Sequence, residues 1–400
     1  MPPRRRSPVL PVSLAVLAVL VLLSVGIYLG GHPEDLPGPI RNALVSDDVK
    51  TTQEAFDLIE QDYYRKVKSS TLVNSGISGA VASLHDRFST YLDPTAYRRF
   101  LEQSKGRFSG IGTEVVPDKL GLRVTRVFPG TPAAKAGIKA GDRIVAVGGV
   151  PIAGKPVEQT TSLIRGKPGT FVTITVQSGK PPVRRQVRVA RAQVSTPSVA
   201  PALRTVNGVK LGYDAVSGFT SGVHGELRQA VERQRAAGAK GILIDMRSNG
   251  GGLLNEAVLV SSIFIEHGRI VSTKGRVAQA NKVYDATGGA LKGNFPIVVL
   301  VNHDTASAAE IVTAALQERR GAKVVGTRTF GKGVFQEVRE MSNGGALDIT
   351  VGQYFTPNGR NLGGGGVKEG AGIAPDIPVA DVKRQLPVAL STLAAEARSH

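Results

Sequence analysis

The chain contains no cysteine and no tryptophan, and aromatic residues make up only 5% of its 400 residues. Without cysteine there is no disulfide framework, no thiolate metal site and no cysteine nucleophile, although the compartment stays open. A complete phosphate loop is also missing. The stretch GTRTFGKGVFQEV at 326–338 begins as G-x-x-x-x-G-K, but Gly333 stands where Ser or Thr would hold Mg²⁺. The VFQEVREM that follows is rich in β formers and has no helical apolar stripe, so no helix N-terminus would face the phosphates. Both features exclude ATP or GTP as the ligand. Acidic residues are outnumbered, leaving a net charge of +18. The basic residues are nevertheless spread along the chain. In the densest run, PPVRRQVRVARA at 181–192, Val183, Val187 and Val189 partly alternate with arginines, as in a half-buried strand with a solvated basic face. Nucleic acid is therefore not an expected partner, whereas anionic lipid or a cell-envelope polymer is compatible with the charge.

What is present starts at the N-terminus. Arg4, Arg5 and Arg6 precede a segment with no charge until Glu34, and residues 9–29, VLPVSLAVLAVLVLLSVGIYL, are almost wholly apolar. At about 1.5 Å per residue such a helix spans a hydrocarbon core of roughly 30 Å. The arginines favour a cytoplasmic N-terminus, with the rest of the chain outside. A cleaved signal peptide is the rival reading, but no A-x-A site follows the apolar run. The expectation is a single-pass anchor in a bacterial-type cytoplasmic membrane, with the folded part on the extracytoplasmic, periplasmic side.

The pattern divides the rest of the chain. Residues 1–32 are tail and anchor. Residues 33–105 open with a proline-rich linker and then read helical, with Pro94 interrupting the second stretch. This segment is a candidate for homodimer contacts. Residues 106–190 carry short β-type runs with two helical stretches, a compact module. Residues 191–385 alternate strand and helix, the mark of an α/β core, and 386–400 read as a tail. The glycine-rich 361–372, NLGGGGVKEGAG, reads as a flexible loop.

Two strand-to-helix turns in the core carry chemistry. In PIVVLVNHDTASAAEIVTAAL, Ser307 falls at the start of a helix, where free N–H groups and the helix dipole favour a developing oxyanion. A capping serine is the plainer reading, with Asp304 and Thr305 competing for that role. In IDMRSNGGGLLNEAV, the glycines 250–252 expose backbone N–H groups that could supply a second donor, or simply make a tight connection. Lys332 sits between Phe330 and Val334–Phe335, a setting that disfavours an ammonium, and a neutral lysine can act as a general base. On a straight strand Lys332 and Gln336 would lie about 13 Å apart, so contact requires a bend or a bulge.

These residues resemble the carboxyl-terminal processing peptidases, or tail-specific proteases. The resemblance rests on the turn Asp245-Met246-Arg247-Ser248-Asn249-Gly250-Gly251-Gly252, the nucleophile turn 304–310, the segment TFGKGVFQ at 329–336, and YFTPNGR at 354–360. It implies a multidomain α/β protein: a transmembrane helix, a small helical segment, a β-rich PDZ domain with two helices, and a ClpP/crotonase-like α/β protease core. It further implies Ser307 as nucleophile, Lys332 as general base, Gln336 as its orienting partner, and the N–H groups of Gly251 and Ala308 as the oxyanion hole. Peptide hydrolysis through an acyl-enzyme would then need no metal or cofactor. In the PDZ module, Ser109, Gly110, Ile111 and Gly112 match the carboxylate-binding loop for free C-termini, and Arg165 is a candidate for coupling domains. The sequence departs from the family pattern at Gly250, where a proline is usual, and at Met246 and Ser248. Two other readings remain: a catalytically silent PDZ adaptor, and a Ser–His hydrolase using His303.

Overall fold

A computed structural model describes residues 47–399. The expected anchor at 9–29 and the linker from residue 33 lie outside the described residues. Among those described, no helix is long and apolar enough to cross a membrane.

Residues up to Ser83 form one unit and those from Leu84 another. In the first, α1 (Asp47–Asp62) and α2 (Ser69–Ala82) meet where Gly76 leaves room for the Phe56 ring. α1 buries none of its residues. The sequence reading of 47–105 as helical holds for these two but not for all that follows. In the second unit Thr90–Leu92 form a strand, β1, and Pro94 begins rather than interrupts a helix, α3 (Pro94–Ser104). Asp93 caps it, accepting from the Thr95 and Ala96 N–H groups at 2.8 Å, and proline at the first helical position has no N–H to leave unpaired.

The β-rich module is framed by a small sheet in which β2 (Arg107–Gly110) pairs antiparallel with a strand about 80 residues on, β9 below. Between them come β3 (Thr113–Asp118), β4 (Gly121–Val127), the one-turn α4 (Pro132–Lys135), β5 (Arg143–Val147), β6 (Val150–Pro151), α5 (Val157–Ile164), β7 (Phe171–Ser178), β8 (Val183–Ala190) and then β9 (Ala192–Ser195). Their sheet runs β3-β4-β5-β7-β8, antiparallel throughout, with β6 beside β5. The arginine-rich 183–190 is indeed a strand with mostly exposed arginines and Val189 buried. Ile144, Ile152, Ile174 and Val176 fill the module's own core.

The larger domain is a mixed sheet covered on both faces. β10 (Val199–Val206) pairs antiparallel with β11 (Val209–Val216). A helix, α6 (Val223–Ala236), leads to β12 (Ile242–Asp245), parallel to β11. α7 (Leu254–Ser262) follows, then β13 (Arg269–Gly275) and β14 (Lys282–Asp285), which belong to a second sheet. β15 (Ile297–Val301), α8 (Ala308–Arg320) and β16 (Lys323–Gly326) extend the first sheet in parallel. β17 (Val334–Glu340) pairs along one side of β18 (Ala346–Phe355) in the antiparallel sheet, while β13 and β1 pair along its other side. Finally β19 (Ile377–Pro378) closes the first sheet and α9 (Val382–Ser399) packs over it.

Alternation along the buried strands divides the side chains between two faces. Ile242, Ile244, Val299 and Val301 face α6, α7 and α8, while Leu243, Val298 and Leu300 face α9. Residues 386–399, expected as a tail, therefore belong to α9, whose Leu393 and Ala394 are fully buried. Removing the Leu393 side chain beyond Cβ would cost about 2–5 kcal/mol.

Candidate active site

Two strand-to-helix turns meet at the C-terminal ends of β12 and β15. The Ala306 N–H donates to Asn249 O at 3.0 Å, the Thr305 hydroxyl to Met246 O at 2.9 Å, and the Ser248 N–H to Asn302 Oδ1 at 2.8 Å. These bonds hold Ser307 against the glycine turn. A Cβ on Gly251 would come 2.8 Å from Ser307 Cβ and 3.0 Å from the Ala308 nitrogen, so only glycine fits. Ser307 is the N-cap of α8 with φ of +57° and ψ of −120°, a conformation that costs a non-glycine residue about 1–3 kcal/mol. Its side chain is nearly buried, at 7% exposure. The Ala308 N–H has no acceptor among the described residues and is free to meet an oxyanion. The Gly251 N–H is committed: it donates to Asn249 Oδ1 at 2.9 Å within its own turn, and Asn249 Nδ2 is anchored on Val216 O. A second donor at Gly251 requires that bond to open, a feature not visible in the glycine pattern.

Lys332 follows β16 on the segment that crosses to β17. Its amine donates to Gln336 Oε1 at 2.7 Å. The bend that this contact demands is present as a register shift between Phe335 and Gln336. Gln336 is oriented in turn by donating from Nε2 to Thr350 Oγ1 at 2.8 Å. Burial lowers the Lys332 pKa from its ordinary value, and the carboxylates of Asp348, Asp86 and Glu310 oppose that shift. Its ammonium also lies 4.6 Å from the centre of the Phe88 ring. Among the described residues Lys332 Nζ makes no hydrogen bond to Ser307. Burial raises the pKa of the Tyr354 phenol, with Ser307 pulling the other way.

The glycine-rich 361–372 is not the free loop that its composition suggests. Asn361 Oδ1 accepts from the Gly363 and Gly365 N–H groups, and its Nδ2 donates to Tyr354 O. The loop then packs behind the lysine, with the Gly333 N–H bonded to Gly366 O at 3.1 Å.

Several residues of this site carry no mark in the sequence. Asp86 and Phe88 arrive just ahead of β1, whose pairing with β18 is non-local, while Asp348 and Thr350 arrive on β18, the second strand of its hairpin with β17. Glu310 did carry a signal, the S-x-x-E spacing of Ser307 and Glu310 that marks a capping box. His303 is exposed, edge-on to the Phe330 ring at 5.9 Å and 4.0 Å from Asp304, with no bond to Ser307.

The β-rich module has a groove of about 1050 Å³ lined by β3, α5 and α3. Ser109 and Gly110 lie in β2, and the Ser109 hydroxyl donates to Gly166 O. The Ile111 and Gly112 N–H groups have no acceptor among the described residues and line the groove. Gly112 has φ of +91° and packs on Thr131, leaving no room for a Cβ. Phe108, Ile111, Phe128 and Ile164 give the groove an apolar floor. Arg165 also lines it, 5.8 Å from the centre of the Phe108 ring.

Residues 210–379 match Peptidase family S41, 123–178 match the PDZ domain, and 39–96 match the activating protease CtpB N-terminal domain. The chain is 33% identical over 340 residues to a "Probable CtpA-like serine protease" of Staphylococcus epidermidis, covering 84% of this chain and 67% of that one. A Staphylococcus aureus protein of the same description is 35% identical over 335 residues, covering 83% and 65%. The chain thus spans about two thirds of the length of these relatives. A solved S41 protease from Bacteroides fragilis, 17% identical, aligns over 85% of this chain and 96% of its own at a TM-score of 0.53, a likeness of fold. By these matches the chain belongs to peptidase family S41 and carries a PDZ domain ahead of its S41 region.

Proposed function

We propose that the chain is a membrane-anchored serine endopeptidase that cuts cell-envelope proteins by a Ser–Lys mechanism and selects them by their free C-termini. The observation that carries the chemistry is the half-buried Lys332, its pKa lowered and its amine held 2.7 Å from Gln336 Oε1. A neutral Lys332 takes the Ser307 proton as Oγ attacks the scissile carbonyl. The Ala308 N–H meets the oxyanion, joined by the Gly251 N–H once Asn249 releases it. Lys332 then passes its proton to the leaving amine, and water hydrolyses the acyl-enzyme. At rest the amine is held on Gln336, and a rotation of the lysine side chain brings it to Ser307.

Selection of C-termini rests on the two uncommitted N–H groups of Ile111 and Gly112 above an apolar floor, the pattern that captures a carboxylate beside an added β-strand. The anchor rests on residues 9–29, and it places the enzyme on the outer side of a bacterial cytoplasmic membrane.

The test is turnover of an unstructured polypeptide by wild type, Ser307→Ala, Lys332→Ala and His303→Ala. Activity is expected only in wild type and His303→Ala. Full activity in Lys332→Ala sinks the Ser–Lys mechanism, and loss in His303→Ala alone favours a Ser–His hydrolase. Amidating the substrate's C-terminus should weaken its capture, and equal binding removes the C-terminal selection. Finding the intact N-terminus in washed membranes supports the anchor, and finding it cleaved in the soluble fraction removes it.

A further inference from the structure

Glu310 stands in the first turn of α8 with no exposed surface, and its carboxylate accepts four hydrogen bonds. Oε2 takes the Ser307 N–H at 3.0 Å and the Lys332 N–H at 2.9 Å. Oε1 takes the Thr329 hydroxyl at 2.6 Å and the Gly331 N–H at 2.8 Å. The Thr329 oxygen accepts from the Ile373 N–H, which leaves its own proton for Glu310. Gly372 packs on this pair where any Cβ would collide. Burial raises the pKa of this carboxyl, and all four partners, being donors, oppose that rise and favour the carboxylate.

A helix cap explains only the first of these bonds. Capping α8 calls for an acceptor at the Ser307 N–H, and nothing in the helix requires bonds to Gly331 and Lys332, on a segment beyond β16. One oxygen therefore ties the backbone of the serine directly to the backbone of the lysine. The same bond supports the left-handed φ of Ser307, which a free turn would relax.

We propose that Glu310 is a positioning residue for the Ser307–Lys332 pair: its carboxylate fixes the two backbones against each other, and its charge stands behind the amine. The proposal rests on the Ser–Lys reading above. Glu310 touches no reacting atom. It sets where Oγ and Nζ start from, and its negative charge favours the ammonium form of Lys332.

Glu310→Gln keeps the shape and tests both parts. An amide oxygen can remain at the Oε2 place, between the Ser307 and Lys332 N–H groups. The amide nitrogen at the Oε1 place then faces the Gly331 N–H and loses the Thr329 donor. In the full chain, with an unstructured substrate bearing a free C-terminus, kcat should fall at least tenfold with KM unchanged. The rising limb of kcat against pH should move to lower pH, because the charge that favoured the ammonium is gone. A mere structural brace would leave that limb in place. Turnover within twofold of wild type and an unmoved limb, with Ser307→Ala inactive, overturns the proposal. Turnover in Ser307→Ala or Lys332→Ala instead sinks the reading beneath it, and the proposal with it. If Glu310→Gln does not fold, Thr329→Val and Thr329→Ser decide. Val should lower kcat several-fold with Ser near wild type, and wild-type kcat in Thr329→Val overturns the role.

Discussion

Lys332 Nζ meets Gln336 Oε1 at 2.7 Å although the two residues are four apart on an extended segment, and the register shift between Phe335 and Gln336 is what folds the distance away. Gln336 is in turn held by Thr350, so the amine is presented by a chain of neutral groups rather than by an ion pair. A neutral partner leaves in place the lowering that burial imposes on the amine, where a carboxylate would favour the ammonium. Gln336→Glu should therefore move the rising limb of the pH–rate profile to higher pH and cut turnover at pH 7 by tenfold or more. An unmoved limb would mean that Lys332 does not limit the rate.

The charges around the lysine give a prediction of opposite sign. Asp348 is the first of the three carboxylates that oppose the fall of the Lys332 pKa. Its own pKa is raised by burial, with Lys332 pulling the other way. Asp348→Asn removes an interaction that favours the ammonium, so the pKa of Lys332 drops further. The neutral amine is the active base, and it would persist to lower pH. The rising limb should shift toward acid, and a shift toward alkali would contradict the assignment of Lys332 as base.

How far the sequence reaches is clearest at these residues. GILIDM and PIVVLVN are buried strands because continuous apolar runs bounded by turns fit a sheet covered on both faces, and both stand where expected. Ser307, Lys332 and Gln336 could be picked out because turn and strand grammar is local. Asp86 and Phe88 could not. They reach the lysine only because β1, three residues in a stretch that reads helical, adds to the edge of β18. The Asn249 bond to Gly251 and the ordering of 361–366 by Asn361 escape for another reason: glycine composition reports backbone freedom, not how a neighbouring side chain uses it.

The glycine turn separates two adjacent positions. Gly251 has φ of +102° and would drive a Cβ onto Ser307 Cβ and Ala306 O, at 2.8 and 2.9 Å. Gly250, where the family pattern has proline, would meet nothing within 4 Å and does not have a left-handed φ. Gly251→Ala should abolish turnover. Gly250→Ala should keep turnover and stabilise by about 0.4–1 kcal/mol by narrowing the unfolded ensemble. Paired melting and activity measurements check both, and equal loss at the two positions would show that the turn tolerates no side chain at all.

Away from the site, Asp214 makes the stability pH-dependent. Burial pushes its pKa up to about 7, with a hydrogen bond from Gln234 pulling the other way. Oδ1 accepts from Gln234 Nε2 at 2.9 Å, while Oδ2 is buried with no partner among the described residues. Below about pH 4 the side chain is protonated in both folded and unfolded chains and contributes no pH dependence. Between there and about pH 7 the unfolded chain ionises first, so it binds fewer protons and stability falls as pH rises. Above that window the full penalty stands, on the order of 4 kcal/mol at about 1.4 kcal/mol per unit. Asp214→Asn cannot ionise and should escape this loss. The melting temperature of the variant relative to wild type should therefore climb between about pH 4 and pH 7 and level off above. A difference that stays flat across that range would mean that Asp214 remains ionised in the fold, with water reaching Oδ2.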